Sequence, residues 1–135
     1  DLYLNGLGVP QDVKIATKWY TLAAEQGYAE AQNNLAVISS ERLFGRGYKD
    51  AIKWYTLAAE QGYAPAQFNL GAMSMLGKGT PMDFAVARMW YIIAAAHGHE
   101  QARNAVEQYE DALSPTQIET ADRLAREWIE KHSNN

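Results

Sequence analysis

Three groups of residues in this 135-residue chain have a type and spacing that chemistry would use. The first is His97-x-His99 with Glu100 beside it. Zinc takes three or four protein ligands, so two histidines one residue apart supply at best half a site. They occupy the places that Gln61 and Tyr63 hold in an earlier copy of a repeated segment, and a solvated or capping pair is expected. The second group is Gly6-x-Gly8, Gly45-x-Gly47 and Gly77-x-Gly79. A phosphate loop needs Gly-Lys-Ser/Thr or a strand before the turn, and neither is present. Recurrence of the pair once per repeat marks hairpin turns instead. The third is Glu107, Glu110 and Asp111, at most four residues apart on one helix. Acid–base catalysis uses such carboxylates, but a run of this kind is ordinarily a solvated face. The absence of cysteine removes thiol nucleophiles, disulfides and thiolate ligands together. No nucleophile–base set remains, so a non-enzymatic chain without catalytic, metal or cofactor residues is expected.

The elements that carry these residues repeat. KWYTLAAEQGYA occurs at Lys18–Ala29 and again, letter for letter, at Lys53–Ala64; MWYIIAAAHGHE at Met89–Glu100 is a looser copy. Trp19, Trp54 and Trp90 are therefore 35 and 36 residues apart, a period that signals a repeat array. Each copy is the second helix, B, of a helical hairpin. Ala16, Trp19, Tyr20, Ala23 and Gly27 form one stripe at helical spacing, and Ala51, Trp54, Tyr55 and Ala58 form the next. Ala87, Trp90, Tyr91 and Ala94 form the third. Asp12 and Asp83 are expected N-caps, with Gly47 in the same place in the middle repeat, and Gly27 is an expected C-terminal stop.

The first helices, A, lie between. One is expected at about residues 29–43, with Ala31, Leu35 and Ile38 inside. The next opens on Pro65 and turns Ala66, Leu70 and Met73 inward. A third keeps the spacing from Glu100 to Leu113 through Ala102, Val106 and Tyr109. The middle repeat is redistributed: its helix A gains about one turn of 3.6 residues and its loop shortens. Ser114-Pro115-Thr116-Gln117 then starts a last helix to about Lys131. Ile118, Ala121, Leu124, Ala125 and Trp128 make its apolar face, and Glu119, Asp122, Arg123, Glu127 and Glu130 its charged one. One polar face suits a unit that closes an array. No stretch reads as a strand. The expected organisation is one repeat domain over residues 1–135. It divides into a partial repeat (1–28), repeats (29–63 and 64–99), a partial repeat helix (100–113) and a capping helix (114–132).

Composition limits the partners. A hydrophobic share of 47% with 21% charged is globular. Net charge of −4 argues against a nucleic-acid partner, which needs clustered Lys and Arg. No apolar run approaches the roughly 18–20 residues of a membrane span, so direct membrane insertion is not expected. Lack of cysteine leaves the compartment undetermined. Asp1 aligns with Ala72, partway along helix A, which suggests the C-terminal piece of a longer array.

These residues resemble the Sel-one-like repeats (SLR), relatives of the tetratricopeptide repeats. The match runs through Ala64, Ala66, Leu70, Gly71, Gly77, Gly79, Asp83, Ala87, Trp90, Tyr91, Ala94, Ala95 and Gly98. The first copy contributes Tyr3, Gly6, Gly8, Val9, Asp12, Ala16, Trp19, Tyr20, Ala23, Ala24, Gln26 and Gly27. Coverage reaches about residue 113. Ser39 and Ser74 depart from the pattern where Tyr3 keeps it, and Ala36 stands in place of Gly71. The resemblance implies an all-α, right-handed α-solenoid of antiparallel helix pairs, a tetratricopeptide-like superhelix with a C-terminal capping helix. It also implies an adaptor in assembly, signalling or envelope processes, mainly bacterial, that holds a protein or peptide on the concave face lined by the A helices.

The identical Trp-Tyr and Ala-Ala pairs are packing residues, and truncating Trp54 is expected to cost roughly 3–5 kcal/mol. Recognition is expected instead where the repeats disagree. Those positions are Asn33, Asn34, Val37, Ser40 and Glu41, then Phe68, Asn69, Ala72 and Met75, then Asn104, Gln108 and Asp111. Phe68 and Met75 are apolar where solvent would favour polar residues. Two alternatives belong to other classes. Some cysteine-rich relatives are linked to peptidoglycan or β-lactam chemistry, but they are stapled by disulfides that this chain lacks. The other is self-association through an exposed N-terminal repeat edge.

Overall fold

The computed structural model describes residues 10–41 and 47–133. Among these the chain is helical throughout: α1 (Pro10–Glu25), α2 (Ala29–Ser40), α3 (Gly47–Glu60), α4 (Ala64–Leu76), α5 (Phe84–Ala96), α6 (Glu100–Gln108) and α7 (Pro115–Ser133). A 3-10 turn, Glu110–Ala112, separates the last two. From α1 to α6 each helix packs on its neighbours in sequence; α7 packs on α5. This is an all-α solenoid of repeats.

Small residues make the close packing. Ala51, Ala58, Ala59, Ala66, Ala87, Ala94 and Ala102 have no exposed surface, and larger side chains interlock around them. One cluster joins α2 to α5 and α7 through Ala36, Tyr55, Leu70, Met73, Trp90, Ile93 and Ala125. A second centres on Tyr91, Ala94, Ala102 and Ala105, and a third on Ala24, Ala31 and Leu35 with Trp54 packed against it. At Gly71 a Cβ would lie 2.6 Å from Cε1 of Tyr91, so α4 and α5 approach more closely than alanine allows.

The ends of the helices follow ordinary capping chemistry. The Asp83 carboxylate accepts from the amide of Val86 at 3.1 Å, as expected. Ser114 and Gln117 form a reciprocal capping box at 3.1 and 2.8 Å. Gly77 closes α4 with φ +70, where a side chain would be strained, and Gly27 follows α1 with φ +94.

Several expectations need correction. Asp12 is the third residue of α1, because Pro10 already occupies the start. Gly47 is likewise the first residue of α3, beyond the N-cap place. α2 does not gain a turn: it ends at Ser40 with 12 residues, against 13 for α4. The Ser40 hydroxyl donates to the Val37 carbonyl at 2.8 Å and competes with helix continuation there. Gly6, Gly8 and Gly45 lie outside the described residues. The helix expected to Leu113 stops at Gln108, since Leu113 turns extended before Ser114-Pro115 and buries its side chain.

Trp19, placed inward by its stripe, is 65% exposed, because no described helix pair covers that side of α1. Trp54 is half-buried, while Trp90, at 9% exposure, is the enclosed indole. Asp122, assigned to a solvated face, reaches Arg88 instead. Arg88 Nε lies 3.1 Å from the Asp122 carboxylate and Nη2 3.6 Å from that of Glu110, while Nη1 faces the Val106 carbonyl at 3.5 Å. A single charge buried in the apolar run FAVARMWYIIAAA thus fastens the last helix to the array.

Candidate concave binding groove

Two hollows open between the helices, one among α4, α5 and α6 and the other between α1 and α2. One, of about 350 Å³, is lined by Phe68, Ala72, Tyr91, Gln101, Asn104, Ala105, Gln108 and Tyr109. Its floor is aromatic. Phe68 lies 5.5 Å from Tyr91 and stacks on His99 at 4.7 Å, and Tyr91 stacks near Tyr109 at 6.4 Å (centroid distances). Burial pushes the Tyr91 hydroxyl up to about 12, with Tyr109 adding to the shift, so the Tyr91 ring is uncharged at neutral pH. Amides of Gln101, Asn104 and Gln108 form its rim. Such a hollow can hold an apolar side chain while its amides bond a peptide backbone.

The second hollow, of about 450 Å³, is lined by Tyr20, Ala23, Tyr28, Ala29, Glu30, Ala31 and Asn34. Between the two, Asn69 Nδ2 donates to Asn33 Oδ1 at 3.2 Å and joins α4 to α2. Of the residues expected to bind a partner, Phe68, Ala72, Asn104 and Gln108 thus meet in one hollow and Asn34 lines the other. Asn33 is buried against Asn69, and Val37 and Met75 are half-buried in the core clusters. Ser40 bonds back to its own helix, while Glu41 and Asp111 lie exposed. Tyr20 and Tyr91 belong to the core stripes of the sequence, and Tyr28, Glu30 and Gln101 are not among the expected partner residues. The difference between Glu30 and Gln101 at equivalent positions is a signal for that pair, while Tyr28, identical to Tyr63, carries none.

The two histidines that suggested a metal have other partners. His99 is the N-cap of α6, its Nδ1 accepting from the Ala102 amide at 3.2 Å. Burial lowers its pKa, in keeping with an unprotonated acceptor nitrogen. His97 Nδ1 faces the Ile93 carbonyl at 3.0 Å and Gln67 Oε1 at 3.2 Å. Gln67 in turn donates to the Ala59 carbonyl, as Gln32 does to Ala24, and Gln61 donates to Gln32 Oε1 at 2.9 Å. Gln61 and His97 therefore play one role in successive repeats. No group of three or more metal-ligating side chains occurs among the described residues. A third hollow, of about 370 Å³, lies where α3, α5 and α7 end. There Glu60 accepts from Trp128 Nε1 at 3.4 Å and meets His132 Nε2 at 2.9 Å, holding the last helix down. No helix among the described residues is long and apolar enough to cross a membrane.

Comparison with known proteins places this geometry. A protective antigen of uropathogenic Escherichia coli with an SLR fold superposes with a TM-score of 0.85 at 29% identity, over 95% of this chain and 28% of that one. A Sel1 repeat protein from Oxalobacter formigenes superposes at 0.69 with 39% identity, over 82% of this chain and 44% of that one. Chitin synthase regulatory factor 3 of Schizosaccharomyces pombe is 36% identical over 121 residues, 87% of this chain and 13% of the yeast protein. The chain thus spans less than half the length of each of these relatives. The family model for the Sel1 repeat matches residues 1–28, 29–63 and 64–99, and the chain belongs to the Sel1 repeat family.

Proposed function

We propose that the chain is a non-enzymatic adaptor that holds a peptide or protein partner against the groove formed by α2, α4 and α6. The observation that carries this is the hollow at Phe68, Tyr91 and Tyr109, rimmed by Gln101, Asn104 and Gln108. Its rim is built from positions that differ between repeats, whereas Tyr55, Ala58 and Ala59 of the second KWYTLAAEQGYA copy are buried in the packing. Sel1 repeats generally mediate protein–protein interaction, which supports the same role. A relative named as a regulatory factor fits a protein that acts by contact. Pull-down with the full-length protein tests it: Asn104→Arg with Gln108→Arg is expected to abolish capture of a partner that wild type retains. Capture that survives both changes places binding on another face. Hydrolysis of a β-lactam by the purified chain would overturn the non-enzymatic part.

A second reading is self-association through α1, favoured by Ile15, Trp19 and Leu22, exposed at 39%, 65% and 43%. Sedimentation across a concentration series is expected to show a dimer that Trp19→Glu returns to monomer. A monomer at every concentration removes this reading.

A further inference from the structure

We infer that the groove is bipartite and directional: its α2 end takes a basic side chain, its α6 end takes an aromatic or aliphatic one, and one extended peptide supplies both. This deepens the adaptor role and rests on it. The two hollows are the same place in the solenoid seen two repeats apart. Tyr20 corresponds to Tyr91, Glu30 to Gln101 and Asn34 to Ala105, and all six line their respective hollows. At the intervening repeat the space is taken by the Asn33–Asn69 bridge. A ligand along the groove therefore meets two openings with an amide pair between them.

The substitutions between equivalent positions set the polarity. At the α2 end Glu30 is exposed beside Tyr28, itself 62% exposed; burial raises the Tyr63 hydroxyl and the Glu30 charge adds to it. A carboxylate beside an aromatic face suits an ammonium or guanidinium group, through an ion pair and a cation–π contact. At the α6 end the acid becomes Gln101, and Tyr28 becomes His99, whose ring is used up as a helix cap stacked on Phe68. What remains there is the uncharged aromatic floor. α2 (Glu30) and α6 (Glu100 and Glu107 against Arg103) each sum to −1 and α4 carries no charge, so what separates the ends is placement: Glu30 lines the α2 hollow, and no charged residue lines the α6 one. The hollows lie two repeats apart; at about 10 Å per repeat, the spacing of packed helices, they are separated by about 20 Å, which about six residues of extended chain span.

Selection of a random twelve-residue peptide library on the intact chain tests this. Enriched peptides are expected to carry Lys or Arg about six residues from Phe, Tyr, Trp or Leu. Glu30→Lys, an exposed change, is expected to weaken a selected peptide about tenfold. Asn104→Trp is expected to block its apolar end, with circular dichroism confirming that both variants fold. Peptides that Asn104→Trp blocks but Glu30→Lys leaves unchanged would overturn the bipartite assignment while the groove stands. Peptides indifferent to both changes, or no enrichment at all, would bring down the groove as well.

Discussion

Residues 18–29 and 53–64 are the same twelve letters in two environments. Tyr55 is 5% exposed and Ala58 has no exposed surface, while Tyr20 and Ala23 are half-buried. Trp54 is half-buried between repeats; Trp19 stands 65% in solvent. The difference lies in what packs alongside: Trp54 rests on the α1–α2 cluster, and no described pair does the same for Trp19. Trp90, in the looser copy, is the most enclosed because Trp128 of α7 meets it edge-on at 5.9 Å. Identical letters specify an identical helix and leave its energetic weight to the neighbours.

Truncating the three tryptophans separates these contributions. Trp90→Ala is expected to cost about 3–5 kcal/mol, as large core deletions do. Trp54→Ala falls to about 2 kcal/mol because less of its surface is buried, and Trp19→Ala stays within about 0.5 kcal/mol. Urea unfolding followed by circular dichroism measures all three. Equal losses would mean that the indoles carry the same load and the comparison fails.

Ala36 and Gly71 make a second contrast at one repeat position. Gly71→Ala is expected to cost about 2 kcal/mol by forcing the Tyr91 ring aside. Ala36→Gly loses mainly helix propensity and one buried methyl, about 1–2 kcal/mol. A stabilised Gly71→Ala variant would show that the two crossings are equally close.

Tyr63 and His99 are equivalent too, and here the contrast is in pH. The folded-state value of His99 lies below 6.5 because burial disfavours the charged ring. The unfolded chain therefore takes the proton first. The contribution is complete above 6.5 and is lost as pH falls through the folded value. Losing the α6 cap is worth about 1 kcal/mol, so thermal unfolding should come earlier at about pH 5 than at about pH 7.5, and less so in His99→Asn. An unchanged pH dependence in that variant would exclude the cap as its source.

Smallest of all should be Arg123→Ala, which removes only an exposed pair with Glu127 at 3.6 Å. It is expected to change stability by less than about 0.5 kcal/mol. Arg88→Met, cutting the buried link to Asp122 and Glu110, should exceed it by about 2 kcal/mol. Equal effects would deny Arg88 its part in holding α7.

The helix order and the capping box at Ser114 were legible because they depend on neighbours three and four residues away. The hollow at Phe68 was legible only in part. Phe68, Ala72, Asn104 and Gln108 stood out as positions where repeats differ, and they do share a hollow. Tyr91 did not, since one ring serves as both core and floor, and a repeated residue reads as core alone. Arg88–Asp122 and Glu60–His132 join residues 34 and 72 positions apart, beyond any local pattern.

Taken alone, the sequence determined the helices, their period and their small-residue seams, since these follow from local spacing and side-chain size. Tertiary structure decided which of two identical tryptophans is covered. It also joined α4 to α2 through Asn69 and Asn33, and bound the last helix to α5 through one buried arginine. Each of these depends on which distant surfaces meet, and burial, pairing and charge acquire their energies only there.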